Sequence, residues 1–199
     1  RATKKIKLFI QVGSSLEYGS QKISHTENLN CNPISHYGIA KLKATNFIKK
    51  IHVKKKFPFI VLRLYQIYGQ HQKFDRLIPH VIDSCLKDKS FKCSEGNQLR
   101  DFLYVDDLIN LFIKIFNKKN IKHEVYNVGS GNPKKIKHII NSINKIIKKG
   151  KPLYGAIKMR NDESMTSYPN ISKVKKIFRW TPTTNILTGL KKTIKFYDK

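Results

Sequence analysis

Two short, nearly unbroken apolar runs, "KLFIQVGSS" and "FPFIVLRLYQIYG", constrain this chain more than any other feature. Runs of that length without polar alternation belong to strands covered on both faces, and the Gly-Ser-Ser that closes the first marks its exit into a loop. Between them, after Pro33, the residues Ala40, Ala44, Phe47, Ile48 and Ile51 recur at helical spacing. Strand, helix, strand implies a parallel crossover.

Beyond Gly69 the period changes. Leu77, Ile78, Val81, Ile82, Cys85 and Leu86 describe an amphipathic helix, and "RDFLYVDDLINLFIKIF" describes another whose start is marked by Asp106 and Asp107. "EVYNVGSGNP" reads as a strand and turn. Ile136, Ile139, Ile140, Ile143, Ile146 and Ile147 predict a further helix, and Leu187, Leu190, Ile194 and Tyr197 a terminal one. The chain is α/β, with helices dominating its second half. Two parallel strands cannot bury both of their faces, so a chain that opens almost on such a strand reads as incomplete at its N-terminus.

Composition narrows the function. A net charge of +27 raises nucleic-acid binding first. Yet the basic residues are overwhelmingly lysine, scattered over the polar helix faces, with arginine only at positions 1, 63, 76, 100, 160 and 179. Specific readers of nucleic acid lean on arginine forks and interleaved aromatics, so a solvated lysine surface with no specific nucleic-acid partner is the expectation. No apolar run is long enough to span a bilayer, and the opening residues lack the pattern of a secretory signal. Cys31, Cys85 and Cys93 have neither disulfide-framework nor zinc-ligand spacing. No membrane partner, no metal and a cytoplasmic location are therefore expected.

The chemistry centres on "SHYGIAKLKA", where Tyr37 stands four residues before Lys41. On a helix the two share a face, and an ammonium there favours phenolate over phenol, which suits the tyrosine to proton transfer. Ser14 and Ser15 sit at the carboxyl end of the first strand, the edge at which open parallel sheets bind ligands. A serine hydroxyl at that edge can hold the oxygen whose proton Tyr37 moves. Taken singly, each feature has a plain structural reading: a core aromatic with a polar tip, or a polar turn.

Together, "VGSSLEYG", "PISHYGIAK", "RLYQIYG", "GNQLRDFLYVDDL", "YNVGSG" and "VKKIFRWTP" resemble, in order, the extended short-chain dehydrogenase/reductase family, in particular its nucleotide-sugar epimerases and dehydratases. The resemblance runs from about Lys5 to the end of the chain. It implies part of a Rossmann fold, a doubly wound parallel sheet without its N-terminal strands, beside a smaller, mostly helical C-terminal substrate domain. Residues 1–70 would belong to the dinucleotide-binding part. Residues 71–199 would form the substrate-binding region, interleaved with late Rossmann elements near 101–131.

The same resemblance implies a catalytic triad of Ser14, Tyr37 and Lys41, with Lys41 also holding the nicotinamide ribose of NAD or NADP and Tyr65 against the nicotinamide. Gln66 stands where the family usually carries an asparagine that contacts the sugar nucleotide. Arg100 matches the arginine that grips the substrate's diphosphate, with Arg160 as companion, and forked, always-ionised donors suit that task. The alternative for Arg100 is a local pair with Asp101, Asp106 or Asp107. Gly129-Ser130-Gly131 lacks a third glycine and is not the phosphate loop. That loop precedes the serine motif in the family, so the chain reads as the C-terminal two-thirds of such an enzyme, inactive alone. A homodimer is left open.

The implied activity is epimerisation or keto-reduction of a nucleotide-activated sugar. The rivals are a 4,6-dehydratase, a non-catalytic remnant and a basic nucleic-acid binder. Dehydratases of this kind place an aspartate and a glutamate directly after the catalytic hydroxyl, whereas this chain has Ser15 and Leu16, with Glu17 displaced by one residue. In an extended segment that shift turns Glu17 to the opposite face, as a solvated or salt-bridged loop carboxylate.

Overall fold

The computed structural model describes residues 6–159 and 163–198. In chain order its elements begin with β1 (Phe9–Ser14), a 3-10 turn (Ser15–Tyr18), α1 (His36–Lys55), β2 (Phe59–Leu64) and β3 (Gln66–Tyr68). They continue with α2 (Leu77–Leu86), β4 (Ser90–Lys92), β5 (Leu99–Arg100), β6 (Phe102–Tyr104), α3 (Val105–Phe116) and β7 (Val125–Val128). Last come β8 (Lys134–Lys135), α4 (Ile136–Ile147), β9 (Lys151–Leu153), β10 (Thr166–Ser167), α5 (Ser172–Phe178) and α6 (Ile186–Tyr197).

The two apolar runs pair in parallel, Phe9 opposite Phe59 and Ser14 opposite Leu64, and β7 lies parallel on the far side of β2, giving the order β1-β2-β7. The central strand is the most apolar because it alone is flanked on both sides. The expected two-sided cover of the first run does not hold along β1. Among the described strands it pairs on one side only, and Phe9 and Val12 are exposed.

The second run is not one strand. At Tyr65 the chain leaves the first sheet: the Tyr65 N–H donates to the Val128 carbonyl, and the next N–H, from Gln66, donates to the Asp101 carbonyl. From there β3 pairs with β6, Gln66 opposite Phe102 and Tyr68 opposite Tyr104. The stretch read as one helix from "RDFLY" onward is likewise two short strands before α3 starts at Val105, with Asp106 and Asp107 in its first turn. Helix α5 and the strands of two or three residues carry too little periodicity to be read in advance.

Two large apolar clusters and a smaller third, of Ile48, Phe59, Val61 and Val125, fill the interior. One large cluster joins α2, α4 and α6 around Tyr68, Phe91, Phe102 and Tyr104, and the other packs α3 and α5 with Trp180 against Ile60, Leu62, Tyr126 and Val128. Helix α1 buries Gly38, Thr45 and Ile48 and leaves Phe47 in solvent, so its inner face is rotated from the one its larger apolar residues mark. The C-terminal segment is pinned by buried Asp107. Its carboxylate accepts the Thr183 N–H and hydroxyl at 3.0 Å and the Thr184 N–H at 3.1 Å, while its carbonyl accepts the Trp180 indole N–H at 3.0 Å. Among the described residues no helix is long and apolar enough to cross a membrane.

Candidate active site

Strand β1 ends in a tight reversal. Ser14 caps the 3-10 turn, its Oγ accepting the Leu16 N–H at 3.2 Å, while Glu17 reaches back to accept the Ser14 N–H at 3.0 Å. Helix α1 opens on Ser35, whose Oγ accepts the Gly38 N–H at 3.1 Å. Gly38 allows this first turn to lie against the 3-10 turn, since a Cβ there would stand 2.5 Å from the Leu16 carbonyl oxygen. Tyr37 thereby faces the end of β1, 55% exposed. One turn later, Lys41 Nζ lies 5.5 Å from the centre of the Tyr37 ring and donates to the Val12 carbonyl at 2.9 Å, tying α1 to β1.

A cleft of about 670 Å³ opens at the carboxyl ends of β1 and β2, and Ser14, Tyr37, Tyr65 and Gln66 all line it. An adjoining hollow of about 390 Å³ shares Tyr37 and Gln66 and adds Arg100. Five of the seven residues singled out from sequence thus line the cleft or the adjoining hollow, while Lys41 lines neither and stands beside the Tyr37 ring. Arg160 lies outside the described residues.

Ser14 is only 8% exposed, and with Leu16 as its donor its hydroxyl proton has no acceptor among the described residues. It can donate to a ligand oxygen. Arg100, 9% exposed, donates to the Leu99 carbonyl at 2.8 Å, to the Ser164 carbonyl at 2.7 Å and to the Glu163 carboxylate. None of the three aspartates proposed as its local partner takes that place. Asp101 caps the 130–132 turn, accepting from the Ser130 N–H and hydroxyl and the Asn132 N–H; Asp106 lies 4.0 Å from Lys192; Asp107 holds the Thr183–Thr184 segment. Burial pushes the Asp101 carboxyl above its ordinary value, and the donors of that turn pull against it.

Glu17 meets the salt-bridged reading, paired with Arg63 and absent from the cleft lining, but not the extended backbone or the solvated one. The segment is a 3-10 turn and not extended, and Glu17 is fully buried. Its Oε2 accepts Arg63 Nε at 2.9 Å and the Thr45 hydroxyl at 3.0 Å, so both carboxylate oxygens are engaged away from the cleft. Leu16 and Ser15 face the hollow instead.

Behind the cleft wall lies a second buried group that sequence reasoning missed. The Tyr65 hydroxyl meets His25 Nδ1 at 2.7 Å, and Tyr18 donates to Asn127 Oδ1 at 2.8 Å. Burial raises the Tyr65 hydroxyl above the usual tyrosine value and pushes Tyr18 up to about 12, so both remain protonated donors. Nδ1 of His25 is then the acceptor and its proton resides on Nε2, which is buried without a partner among the described residues. Burial, with Arg63 nearby, lowers His25 to about 4. No spacing in "ISHTEN" announces this role.

Arg76 was also missed. It stands at the start of α2, exposed, and lines both the cleft and the hollow. The signal available for it was an arginine in a chain that otherwise uses lysine for solvated positions.

Comparison with known proteins places the chain by sequence and fold. Residues 1–129 match the model of the NAD dependent epimerase/dehydratase family. Among curated relatives, a CDP-abequose synthase of Salmonella muenchen is 32% identical, with 80% of this chain and 57% of that protein covered. An uncharacterised UDP-glucose epimerase of Bacillus subtilis is 27% identical, with 96% and 60% covered. Among solved structures, UDP-glucuronic acid 4-epimerase from Bacillus cereus, in complex with UDP-glucuronic acid and NAD, superposes with a TM-score of 0.90 at 30% identity over 97% of this chain and 62% of that one. The chain therefore spans about 60% of the length of the relatives it matches.

Proposed function

The chain belongs to the NAD dependent epimerase/dehydratase family, and from that membership we propose that it carries the proton-transfer and substrate-binding part of an enzyme that epimerises or reduces the sugar of a nucleotide sugar with NAD or NADP. The observation that carries this reading is the convergence of Ser14 and Tyr37 on one cleft at the strand ends, with the Lys41 ammonium 5.5 Å from the phenol ring.

In this proposal Tyr37 exchanges the proton of the reacting sugar hydroxyl, and Ser14 holds that oxygen through the hydroxyl proton left over from its capping bond. Lys41 spends one N–H on the Val12 carbonyl and keeps two for a ribose. Those donors, with the Tyr65 ring on the cleft wall, fit the nicotinamide end of a dinucleotide. Its pyrophosphate end has no glycine-rich loop among the described residues. A bound nicotinamide would supply the hydride-transfer chemistry, taken up and returned in an epimerisation or donated in a reduction. Arg100 keeps two of its five N–H groups for a diphosphate, and Gln66, in the shared wall, takes the place of the family's usual amide.

Dehydration is the weaker alternative. Removing water across two sugar carbons needs a base and an acid beyond the hydride step. The side chains that follow Ser14 toward the opening are a serine and a leucine, and Glu17 is fully engaged elsewhere.

The test is a comparison of two variants of the complete polypeptide that carries this chain, assayed on a panel of UDP-, CDP- and dTDP-hexoses. Tyr37→Phe is expected to lower turnover by about a hundred- to ten-thousand-fold with substrate binding nearly intact. Arg100→Ala is expected to act mainly on binding. Matching kinetic profiles for the two, or a product lighter by one water in mass spectrometry, overturns the assignment.

A further inference from the structure

We infer that Glu17 is a positioning residue for the proton-transfer step: its carboxylate sets the separation between the serine at the end of β1 and the tyrosine–lysine pair on α1. This rests on the reading of Ser14, Tyr37 and Lys41 given above.

The carboxylate touches three elements at once. Oε1 accepts the Ser14 N–H at 3.0 Å, and Oε2 accepts Thr45 Oγ1 at 3.0 Å and Arg63 Nε at 2.9 Å. Ser14 carries the cleft hydroxyl. Thr45, fully buried, lies one turn beyond Lys41 on α1, the helix that also presents Tyr37. Arg63 belongs to β2, opposite Gly13 in the parallel register. Gly13 makes the room, since a Cβ there would lie 2.6 Å from Glu17 Oε1. An ionised carboxylate offers about four acceptor sites and no proton, so it can receive a backbone amide, a hydroxyl and a guanidinium together; a glutamine would turn N–H groups toward some of these donors. A buried ion pair is by itself a weak source of stability compared with well-packed apolar groups. What it contributes here is direction, because each donor sits on an element that bears or borders a reacting side chain.

Displacing a catalytic group by about an ångström costs on the order of a hundredfold in rate. Two variants of the complete polypeptide read this out, with Asp107→Asn, which lines neither the cleft nor the hollow, as a control of comparable thermal destabilisation. Thr45→Val removes only the helix-side bond at nearly constant shape, and Glu17→Gln removes the charge. Glu17→Gln is expected to lower kcat about a hundredfold and Thr45→Val about tenfold, with KM for the nucleotide sugar within about twofold. Without any substrate, hydrogen exchange at the Ser14 and Leu16 amides should rise roughly tenfold in Glu17→Gln, as expected for a lost bond at the node. Asp107→Asn should keep its kcat well below its melting temperature.

If Glu17→Gln does not fold, Thr45→Val carries the kinetic test. Wild-type kcat in Thr45→Val beside a crippled Tyr37→Phe overturns the positioning role alone. Turnover retained by Tyr37→Phe overturns the site reading beneath it. Unchanged exchange at Ser14 and Leu16, or a fall in kcat that Asp107→Asn reproduces at equal melting temperature, also refutes the inference.

Discussion

Replacing Asp107 by alanine removes a carboxylate that fastens the 183–184 stretch to α3. The carboxylate is buried and accepts three hydrogen bonds, two of them from backbone N–H groups of Thr183 and Thr184 that have no other acceptor in a helix or sheet. Each buried donor left unpaired costs about 1–3 kcal/mol, and partial access of water to this segment keeps each toward the low end, so the loss should be roughly 3 kcal/mol. For a domain of this size each kcal/mol lowers Tm by about 2–4 °C, which gives a drop of roughly 6–12 °C. Asp107→Asn keeps one acceptor oxygen and should lose about half as much.

Trp180 makes the assay local, because it is the only tryptophan of the chain and its indole donates to the Asp107 carbonyl at 3.0 Å. Urea unfolding followed by tryptophan emission and by far-ultraviolet dichroism should show the emission moving first in Asp107→Ala, as the segment loosens before the helices melt. Coincident transitions with a loss under about 0.5 kcal/mol, the range of an ordinary surface substitution, would refute the account. So would a larger loss in the asparagine variant than in the alanine variant.

Two further outcomes follow from the site region. His25 has a folded-state value near 4 against 6.5 for the free side chain, so the folded protein binds fewer protons in that window. Its contribution to stability is complete above pH 6.5 and is lost as pH falls toward 4, by about 3 kcal/mol. Urea midpoints measured from pH 7 to 4 should fall less steeply in His25→Gln, and parallel slopes would show that His25 is not held neutral. Gly38→Ala sets a helix-propensity gain of about 1 kcal/mol against overpacking of about 1–3 kcal/mol from a Cβ 2.5 Å from the Leu16 carbonyl oxygen. Overpacking should win, with turnover falling more than Tm, and a more stable, fully active Gly38→Ala would contradict the close approach of α1.

Much of the architecture was legible because it rests on short-range pattern. The helices at 77–86 and 136–147 coincide with their apolar periods, since each needs only one face against a neighbour. The break at Tyr65 was not legible. The run from Phe57 to Gly69 is apolar throughout, and what ends β2 there is a hydrogen-bond choice between Val128 and Asp101, residues more than thirty positions away in sequence. Phe47 was misread for a similar reason: helical spacing names a stripe, but whether that stripe turns inward depends on which neighbour lies beside it. Arg63 carried an unused signal, because a charge inside "FIVLRL" must find a partner when that strand is buried.

From sequence alone came the chemical identities: a hydroxyl at a strand end, a phenol and an ammonium one helical turn apart, and an arginine before an acidic helix start. These are local, and their order along the chain was enough to suggest what they do. The fate of Glu17 was open to no local rule. An extended backbone and a 3-10 turn both point it away from the cleft, but only the turn buries it, and only the meeting of β1, α1 and β2 brings Ser14, Thr45 and Arg63 to its two oxygens. The physical reason is that a buried charge takes its role from the donors around it, and those donors lie up to 46 residues from it in sequence.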